Sequence, residues 1–122
     1  MDELVLEINK FLKSKDWFDF ELDRYENGNL TILGSTDFSY YHEIEIVFED
    51  VAFIQCPKVW SVNTIQDVII KSYEEEQRRI NIDYEIEQGN ILFKIVAEDK
   101  APIFISSRSI SHKIEKVNYN VD

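Results

Sequence analysis

Two histidines and a single cysteine are the side chains of this 122-residue chain best suited to proton transfer, metal binding or nucleophilic attack. His42 lies in the alternating segment "YYHEIEIVF", on the side of its apolar residues, and His112 shares its parity with Ile110 and Ile114. The two histidines form no HxH or HxxxH pair, whereas zinc normally takes three or four protein ligands. The spacing favours two partly buried histidines, and no metal site is expected.

A small-ligand cavity is a second interpretation of these residues. If the strands that carry the two histidines are neighbours, their rings could meet on the apolar side of the sheet. Tyr40 shares the parity of His42. This arrangement predicts a cavity lined by Tyr40, His42 and His112, and a small-ligand-binding domain is therefore the alternative function.

Cys56 precedes Pro57 at the end of an apolar segment, and no motif ties a base to it. A nucleophilic cysteine needs a nearby base and a lowered pKa, so a partly buried, unreactive thiol is the favoured interpretation. No GxSxG motif surrounds the serines of "SSRSISH", and three glycines are too few for a phosphate-binding loop. The chain is expected to be non-enzymatic, with no catalytic residues and no cofactor.

Carboxylates are the more informative chemical feature. Three segments carry a triplet of them opposite apolar residues: Asp19, Glu21 and Asp23; Glu43, Glu45 and Glu49; Asp83, Glu85 and Glu87. Like charges that face each other on neighbouring strands destabilise a sheet. One hypothesis is a negative surface that attracts a basic partner. The other is that the charges only maintain solubility and prevent strand edges from aggregating, and the sequence leaves both open.

The elements that position these side chains follow from periodicity. Apolar residues at helical spacing predict a helix over residues 3–13. From Trp17 the period is two, and Asn27-Gly28 predicts a hairpin between the first two strands. A third strand through the opening histidine segment, a tight connection at Glu49-Asp50 and a fourth strand that ends at Pro57 are expected next.

The second half of the chain is predicted to contain one helix and a further hairpin. Helical spacing favours a helix over residues 64–79, although "DVIIKSY" fits a strand followed by a short polar helix equally well. Residues 82–86 and 91–97 form the predicted hairpin across residues 88–90. A last strand from residue 103 to about 114, bent near residues 106–109, and a frayed tail at residues 118–122 complete the prediction.

The predicted fold is a single α+β domain over residues 1–122. It contains an N-terminal helix, a largely antiparallel, hairpin-built sheet of about six or seven strands, and a second helix near residues 64–79. Such a chain is long enough to bury one substantial core.

Net charge excludes several classes of partner. The chain has 13 basic and 24 acidic residues, a net charge of −11. Nucleic acids and anionic membranes repel such a protein, because both are bound through Lys and Arg. No apolar run is long enough to span a bilayer, and the N-terminus lacks the features of a signal peptide. Together with one unpaired cysteine, these features predict a cytoplasmic protein that binds neither nucleic acid nor membrane.

The segment "YYHEIEIVFEDVAFIQCPKVWS" resembles the central signature of small bacterial immunity proteins of the immunity-protein-50 type. Phe48, Asp50, Pro57 and Trp60 match that pattern as fold-defining positions. "IDYEIEQGNILFKI" and "IFISSRSISHKI" resemble the later strands, so the likeness extends over roughly residues 17–115. The resemblance implies a protein that binds a cognate toxin and blocks it, and it transfers no individual contact residue.

The predicted function is therefore a non-enzymatic binding protein, an immunity protein that neutralises a basic toxin domain through its three carboxylate triplets. The oligomeric state and the identity of the toxin do not follow from the sequence.

Overall fold

The computed structural model describes residues 2–72, 74–87, 89–98 and 100–119, and it confirms the predicted α+β class. Within these residues the chain forms two helices and seven strands. In chain order they are α1 (Asp2–Leu12), β1 (Trp17–Glu26), β2 (Asn29–Ser35), β3 (Tyr41–Gln55), β4 (Val59–Asn63), β5 (Ile69–Lys71), α2 (Glu74–Asp83), β6 (Ile91–Ile95) and β7 (Ile103–Asn118).

All seven strands belong to one antiparallel sheet with the order β4-β1-β2-β3-β7-β6-β5. The predicted hairpin joins β1 and β2, and Asn27 and Gly28 have φ angles of 54° and 79°, as a type I′ turn requires. The sheet curls around α1. The loop after β6 connects the two edges of the sheet. Val96 N donates to the oxygen of Val68, just before β5 (2.9 Å), and Glu98 N donates to the oxygen of Ser61 in β4 (2.8 Å).

The core lies between the inner side of the sheet and α1. Ile8 and Leu12 of α1 are fully buried against strand residues such as Phe20 and Ile44. Gly34 pairs with both of these strand residues, and a Cβ atom at Gly34 would lie 2.6 Å from the Phe20 ring. Any larger residue at this position would therefore displace a core aromatic side chain.

Asn9 of α1 completes the hydrogen bonding of the outermost strand. Its Oδ1 accepts from Val68 N (2.8 Å) and Ile69 N (3.0 Å), and its Nδ2 donates to Ile69 O (2.7 Å). Asn9 is 4% exposed. A buried amide side chain thus takes the place of a neighbouring strand at the free edge of β5.

The predicted tight connection at Glu49-Asp50 is wrong, because β3 continues through it to Gln55. Asp50 has a φ of 54°, its N–H donates to Asn29 Oδ1 (3.1 Å), and the next N–H, of Val51, donates to Gly28 O (2.8 Å). The pairing with β7 shifts register between Val51 and Phe53. The segment is a positive-φ kink at Asp50 followed by a bulge at Ala52, within one long strand that β7 pairs on both sides. The predicted fourth strand is the second half of β3, and the actual β4 follows Pro57.

A second helix is present as predicted, but it spans Glu74–Asp83 and not residues 64–79, and the alternative of a strand followed by a polar helix is observed. Ile69 begins the short strand β5, and α2 begins at Glu74 with three glutamates in its first turn, where the helix dipole favours negative charge. Tyr73 lies outside the described residues.

The hairpin predicted across residues 88–90 does not form. Residues 82 and 83 end α2, and β6 pairs with β5 and β7 instead. Gln88 of the predicted turn lies outside the described residues.

The last strand is longer than predicted and no frayed end begins at residue 118. β7 runs to Asn118, which pairs with Tyr41, and Tyr119 N donates to Tyr40 O (2.8 Å). Residues 120–122 of the predicted tail lie outside the described residues.

The second helix packs on the opposite side of the sheet from α1. Ile80 of α2 contacts Leu92 of β6 and Phe104 of β7 in a second, smaller cluster. The α2 helix therefore covers the outer side of β6 and β7, and neither described helix covers the outer side of β1, β2 and β3. Neither described helix is long and apolar enough to cross a membrane.

Candidate functional site

Two of the three predicted carboxylate triplets share one surface. Directly paired residues of neighbouring strands point to the same side of a sheet. Glu21 pairs with Leu33, and Leu33 pairs with Glu45, so the three form a row across β1, β2 and β3. We define the outer face as the surface formed by seven side chains: Asp19, Glu21, Asp23, Leu33, Glu43, Glu45 and Glu49.

The two triplets do not face each other directly. Because β2 lies between β1 and β3, the triplets are separated by two strand spacings, roughly 9.5 Å. Leu33 stands between Glu21 and Glu45, and Ser35 pairs with Asp19. The sheet thus carries the negative charge with less repulsion than adjacent strands would impose.

The third triplet is not a strand row. Asp83 ends α2, while Glu85, with a φ of 51°, and Glu87 lie in the loop that follows. All three are exposed, and Glu87 lies 3.4 Å from Arg108. The predicted placement of these residues opposite apolar strand residues is wrong, because the helix extends through residues 82 and 83.

Several carboxylates of the outer face already have partners. Arg24 lies 2.5 Å from Asp23 and Lys15 lies 4.0 Å from Glu43. Hydroxyl groups donate to Glu43 as well and to two further carboxylates: Thr36 to Glu43 (3.0 Å), Ser61 to Asp19 (2.6 Å) and Ser109 to Glu49 (3.0 Å). Glu21 makes no ion pair with any cation that the structure describes. Among the described residues, the unpaired charge at the centre of the face is therefore that of Glu21, whereas Glu45 lies directly across from Lys113 of β7.

Two adjoining hollows open on the outer face, and Glu21 and Phe38 line both. The first, of about 730 Å³, extends toward β4, and its other lining residues include Asp19, Trp60, Glu98 and Lys100. The second, of about 350 Å³, extends toward β3, and its other lining residues include Asp23, Leu33, His42, Glu45 and Tyr119. We refer to the second hollow as the His42 hollow.

His42 belongs to the outer face and not to the apolar side on which its parity placed it. His42 lines a hollow with Leu33 and Glu45 of the outer face, whereas Ile44 is buried in the core, so the alternation of β3 is interrupted between His42 and Ile44. The β3–β7 pairing also shifts register there. His42 Nδ1 lies 2.7 Å from the hydroxyl of Tyr119. Its Nε2 is buried without a hydrogen-bond partner among the described residues and lies 4.0 Å from a carboxylate oxygen of Glu45.

The predicted cavity of Tyr40, His42 and His112 does not form. His112 pairs with Ile46 on the inner side of the sheet, and its Nε2 lies 3.3 Å from Glu7 of α1. Tyr40 is 58% exposed in the loop before β3. Since the sheet separates the two imidazole rings, the three residues cannot line one pocket.

The pKa of Tyr119 reflects the negative charge around the His42 hollow. Burial raises the pKa of its phenol, and the negative charges of Glu21, Asp23 and Glu45 raise that pKa further. A phenolate at this position would be repelled by all three carboxylates. The three acidic side chains are therefore all close enough to disfavour a negative charge at the Tyr119 hydroxyl.

Neither Cys56 nor a metal centre adds chemistry to this region. Burial raises the pKa of the Cys56 thiol to about 12, and its Sγ contacts Pro57 O at 3.1 Å. Such a thiol is protonated at neutral pH and is a poor nucleophile. Among the described residues, no group of three or more His, Cys, Asp and Glu side chains could hold a metal ion.

Leu33, Phe38 and Tyr119 are site residues that no sequence pattern indicated. Leu33 looked like a core residue because it lies in an apolar strand. Phe38 lies in the loop between β2 and β3, and Tyr119 in the segment expected to fray. An aromatic residue in a polar loop is the one available signal, since loops commonly carry binding residues.

Comparisons of the chain with models of known protein families, with curated proteins and with solved structures found no match.

Proposed function

We propose that this chain is a non-enzymatic binding protein that contacts a basic protein partner through its outer face. One observation carries the proposal: Glu21 and Glu45 flank Leu33 on a side of the sheet that neither described helix covers, and the half-buried ring of Phe38 lies beside the mostly buried Leu33. Protein interfaces combine an apolar or aromatic centre with charges that steer the partner. Surface carboxylates that served only solubility would need no such centre.

The partner that best fits the resemblance seen in the sequence is a toxin domain, and the protein would then be a cytoplasmic immunity protein of a bacterium. An acidic face can block a basic toxin by occupying the surface that the toxin uses for its own anionic target. The net charge of −11 supports a protein partner over nucleic acid or an anionic membrane.

Affinity capture with matched charge variants tests the proposal. Wild type, Glu21→Lys/Glu45→Lys and Asp83→Lys/Glu85→Lys would each be tagged, incubated with host extract or co-expressed toxin domains at low salt, and eluted with a salt gradient. Both variants change the net charge from −11 to −7, since each substitution adds two charges. Only the first variant alters the outer face.

The expected result is a basic protein captured in stoichiometric amount by wild type and by the Asp83/Glu85 variant. For the purified pair, Glu21→Lys/Glu45→Lys should slow association at low salt by about tenfold or more and weaken its salt dependence. Equal association rates for all three proteins, or no basic protein captured, would refute the acidic-face hypothesis.

Small-ligand binding is a second candidate because the first hollow, of about 730 Å³, has the size of a ligand site. It lies at the β4 edge, lined by outer-face carboxylates and by the core residues Phe20 and Trp60, whereas the sequence predicted a cavity lined by Tyr40, His42 and His112. A thermal-shift screen of small molecules would support this function if a hit were lost on Trp60→Leu but kept on Asp83→Lys/Glu85→Lys.

A further inference from the structure

The Nε2 atom of His42 is buried at the outer face without a hydrogen-bond partner among the described residues. His42 is 7% exposed, and its Nδ1 is already engaged by the Tyr119 hydroxyl. A buried polar atom without a hydrogen-bond partner lowers the stability of the folded protein. Glu45 is too distant, at 4.0 Å, to form a hydrogen bond with it. A ligand in the His42 hollow could supply the missing partner.

The groups around this nitrogen are hydrogen-bond acceptors. Glu21, Asp23 and Glu45 contribute carboxylates that line the same hollow, and their negative charges help to raise the pKa of Tyr119. One cation, Arg24, also lines the hollow, but it is half-exposed and holds Asp23 at 2.5 Å and Glu26 at 3.6 Å. Glu21 and Glu45 are left to pair with an incoming hydrogen-bond donor.

The remaining walls are aromatic and apolar. Phe38 and Tyr119 line the hollow, and Leu33 lines it between the two glutamates. A guanidinium group stacks on aromatic rings and presents five N–H donors in one plane, whereas an ammonium group is compact and more strongly hydrated. A metal ion is a poorer fit, because no three ligands among the described residues converge.

We propose that the His42 hollow binds the guanidinium group of one arginine side chain from the basic partner, which deepens the proposed function and rests on it. The guanidinium pairs with Glu21 and Glu45, donates one N–H to His42 Nε2 and packs against Phe38. Arginine is among the side chains that dominate binding energy when they enter such a pocket at the centre of an interface.

Binding in this way requires one tautomer of the imidazole. If Nε2 accepts from the guanidinium, the ring proton must lie on Nδ1 and be donated to the Tyr119 oxygen. Without the ligand, the Tyr119 hydroxyl can instead donate to Nδ1, which leaves the proton on Nε2. Arginine binding should therefore shift His42 toward the Nδ1–H tautomer, and ¹⁵N chemical shifts distinguish the two forms.

Titration of the ¹⁵N-labelled full chain with short blocked peptides tests the inference. The peptides are acetyl-Gly-Arg-Gly-amide, the same peptide with citrulline, which is isosteric and neutral, and the same peptide with lysine. The arginine peptide should saturate the His42 and Tyr119 resonances and shift the tautomer. It should bind about tenfold more tightly than the citrulline peptide, because the latter forms no charge-assisted hydrogen bonds.

Variants localise the effect. Glu45→Gln and Tyr119→Phe should each weaken arginine binding several-fold, while Glu98→Gln, which removes a carboxylate from the neighbouring hollow, should leave it unchanged. Equal binding of the arginine and citrulline peptides, or equal binding by wild type and Glu45→Gln, would refute the site.

The peptide titration and the capture experiment distinguish an error in the arginine site from an error in the proposed function. If a basic protein binds and Glu21→Lys/Glu45→Lys abolishes binding, but the arginine peptide leaves His42 unperturbed, the arginine site is wrong and the proposed function stands. If the peptide binds as expected and no basic protein is captured, the site stands and the proposed function is wrong.

Discussion

At the scale of single residues, parity misassigned one histidine and gave the correct side for its acidic neighbours. Glu43, Glu45 and Glu49 alternate with buried Ile44, Ile46 and Phe48 as a period of two predicts. His42 has the same parity as Ile44 but faces outward, toward the carboxylates of the His42 hollow, and the pairing with β7 is irregular beside it. Register shifts depend on the partner strand, which lies some seventy residues later in this chain. Local sequence does not contain that information.

Asn9 supports a first prediction, on stability. Asn9→Ala removes three hydrogen bonds to the backbone of residues 68 and 69 and leaves buried polar groups unpaired. We expect the free energy of unfolding to fall by about 2–4 kcal/mol in urea titrations. Lys10→Ala, exposed on the same helix, is the control and should change it by less than about 0.5 kcal/mol. Equal effects of the two substitutions would contradict the role assigned to Asn9.

Cys56 supports a second prediction, on reactivity. Its folded-state pKa of about 12 lies above the ordinary thiol value, so the thiolate is scarce until the pH approaches that value. At pH 8 the thiolate fraction should be on the order of a thousandfold below that of a free cysteine. Iodoacetamide labelling of the native protein should be correspondingly slower than labelling of the peptide FIQCPKV. Comparable rates would show that the thiol is exposed and ionised.

At the scale of elements, β3 shows why a turn signal failed. Glu49-Asp50 has the composition of a turn, and Asp50 does adopt the positive φ of one. The strand nevertheless continues, because β7 pairs with β3 before and after this residue. Long-range pairing outweighs a local turn preference, since a strand of fifteen residues gains hydrogen bonds along its whole length.

A substitution series at Asp50 tests whether the positive φ of this residue strains the strand. Asp50→Gly and Asp50→Asn tolerate a positive φ and should change the free energy of unfolding by less than about 1 kcal/mol, including the loss of the exposed ion pair to Arg108. Asp50→Val should cost about 1–2 kcal/mol more, because a β-branched side chain clashes in that conformation. Urea unfolding measures the series. Equal stability of the Val and Asn variants would show that the backbone at residue 50 is not strained.

At the scale of the whole molecule, the order of the strands decides which charges meet. The first two triplets are brought onto one face because β2 joins the strands that carry them. The third triplet is moved away, because its segment ends a helix instead of forming a strand. Composition alone gives the net charge of −11 but not this concentration of it.

Self-repulsion on the outer face predicts a salt dependence of stability. Raising NaCl from about 10 to about 200 mM screens exposed charges and should raise the melting temperature of wild type by about 2–5 °C. Glu21→Lys/Glu45→Lys should show a smaller rise, and Asp83→Lys/Glu85→Lys a rise closer to that of wild type. Calorimetry at both salt concentrations provides the comparison. Identical rises for the two variants would show that the repulsion is spread evenly over the molecule.

The sequence by itself determined the α+β class, helix α1, the hairpin at Asn27-Gly28 and the outward direction of the first two carboxylate triplets. These features depend on residues close together in the chain, through helical or alternating periodicity and turn chemistry. Only the tertiary structure decided the continuity of β3, the β5–α2 segment and the hollow in which His42 meets Tyr119, 77 positions later in the chain. Each of these depends on pairing or packing between distant segments, whose free energy exceeds the local preferences that a sequence pattern reports.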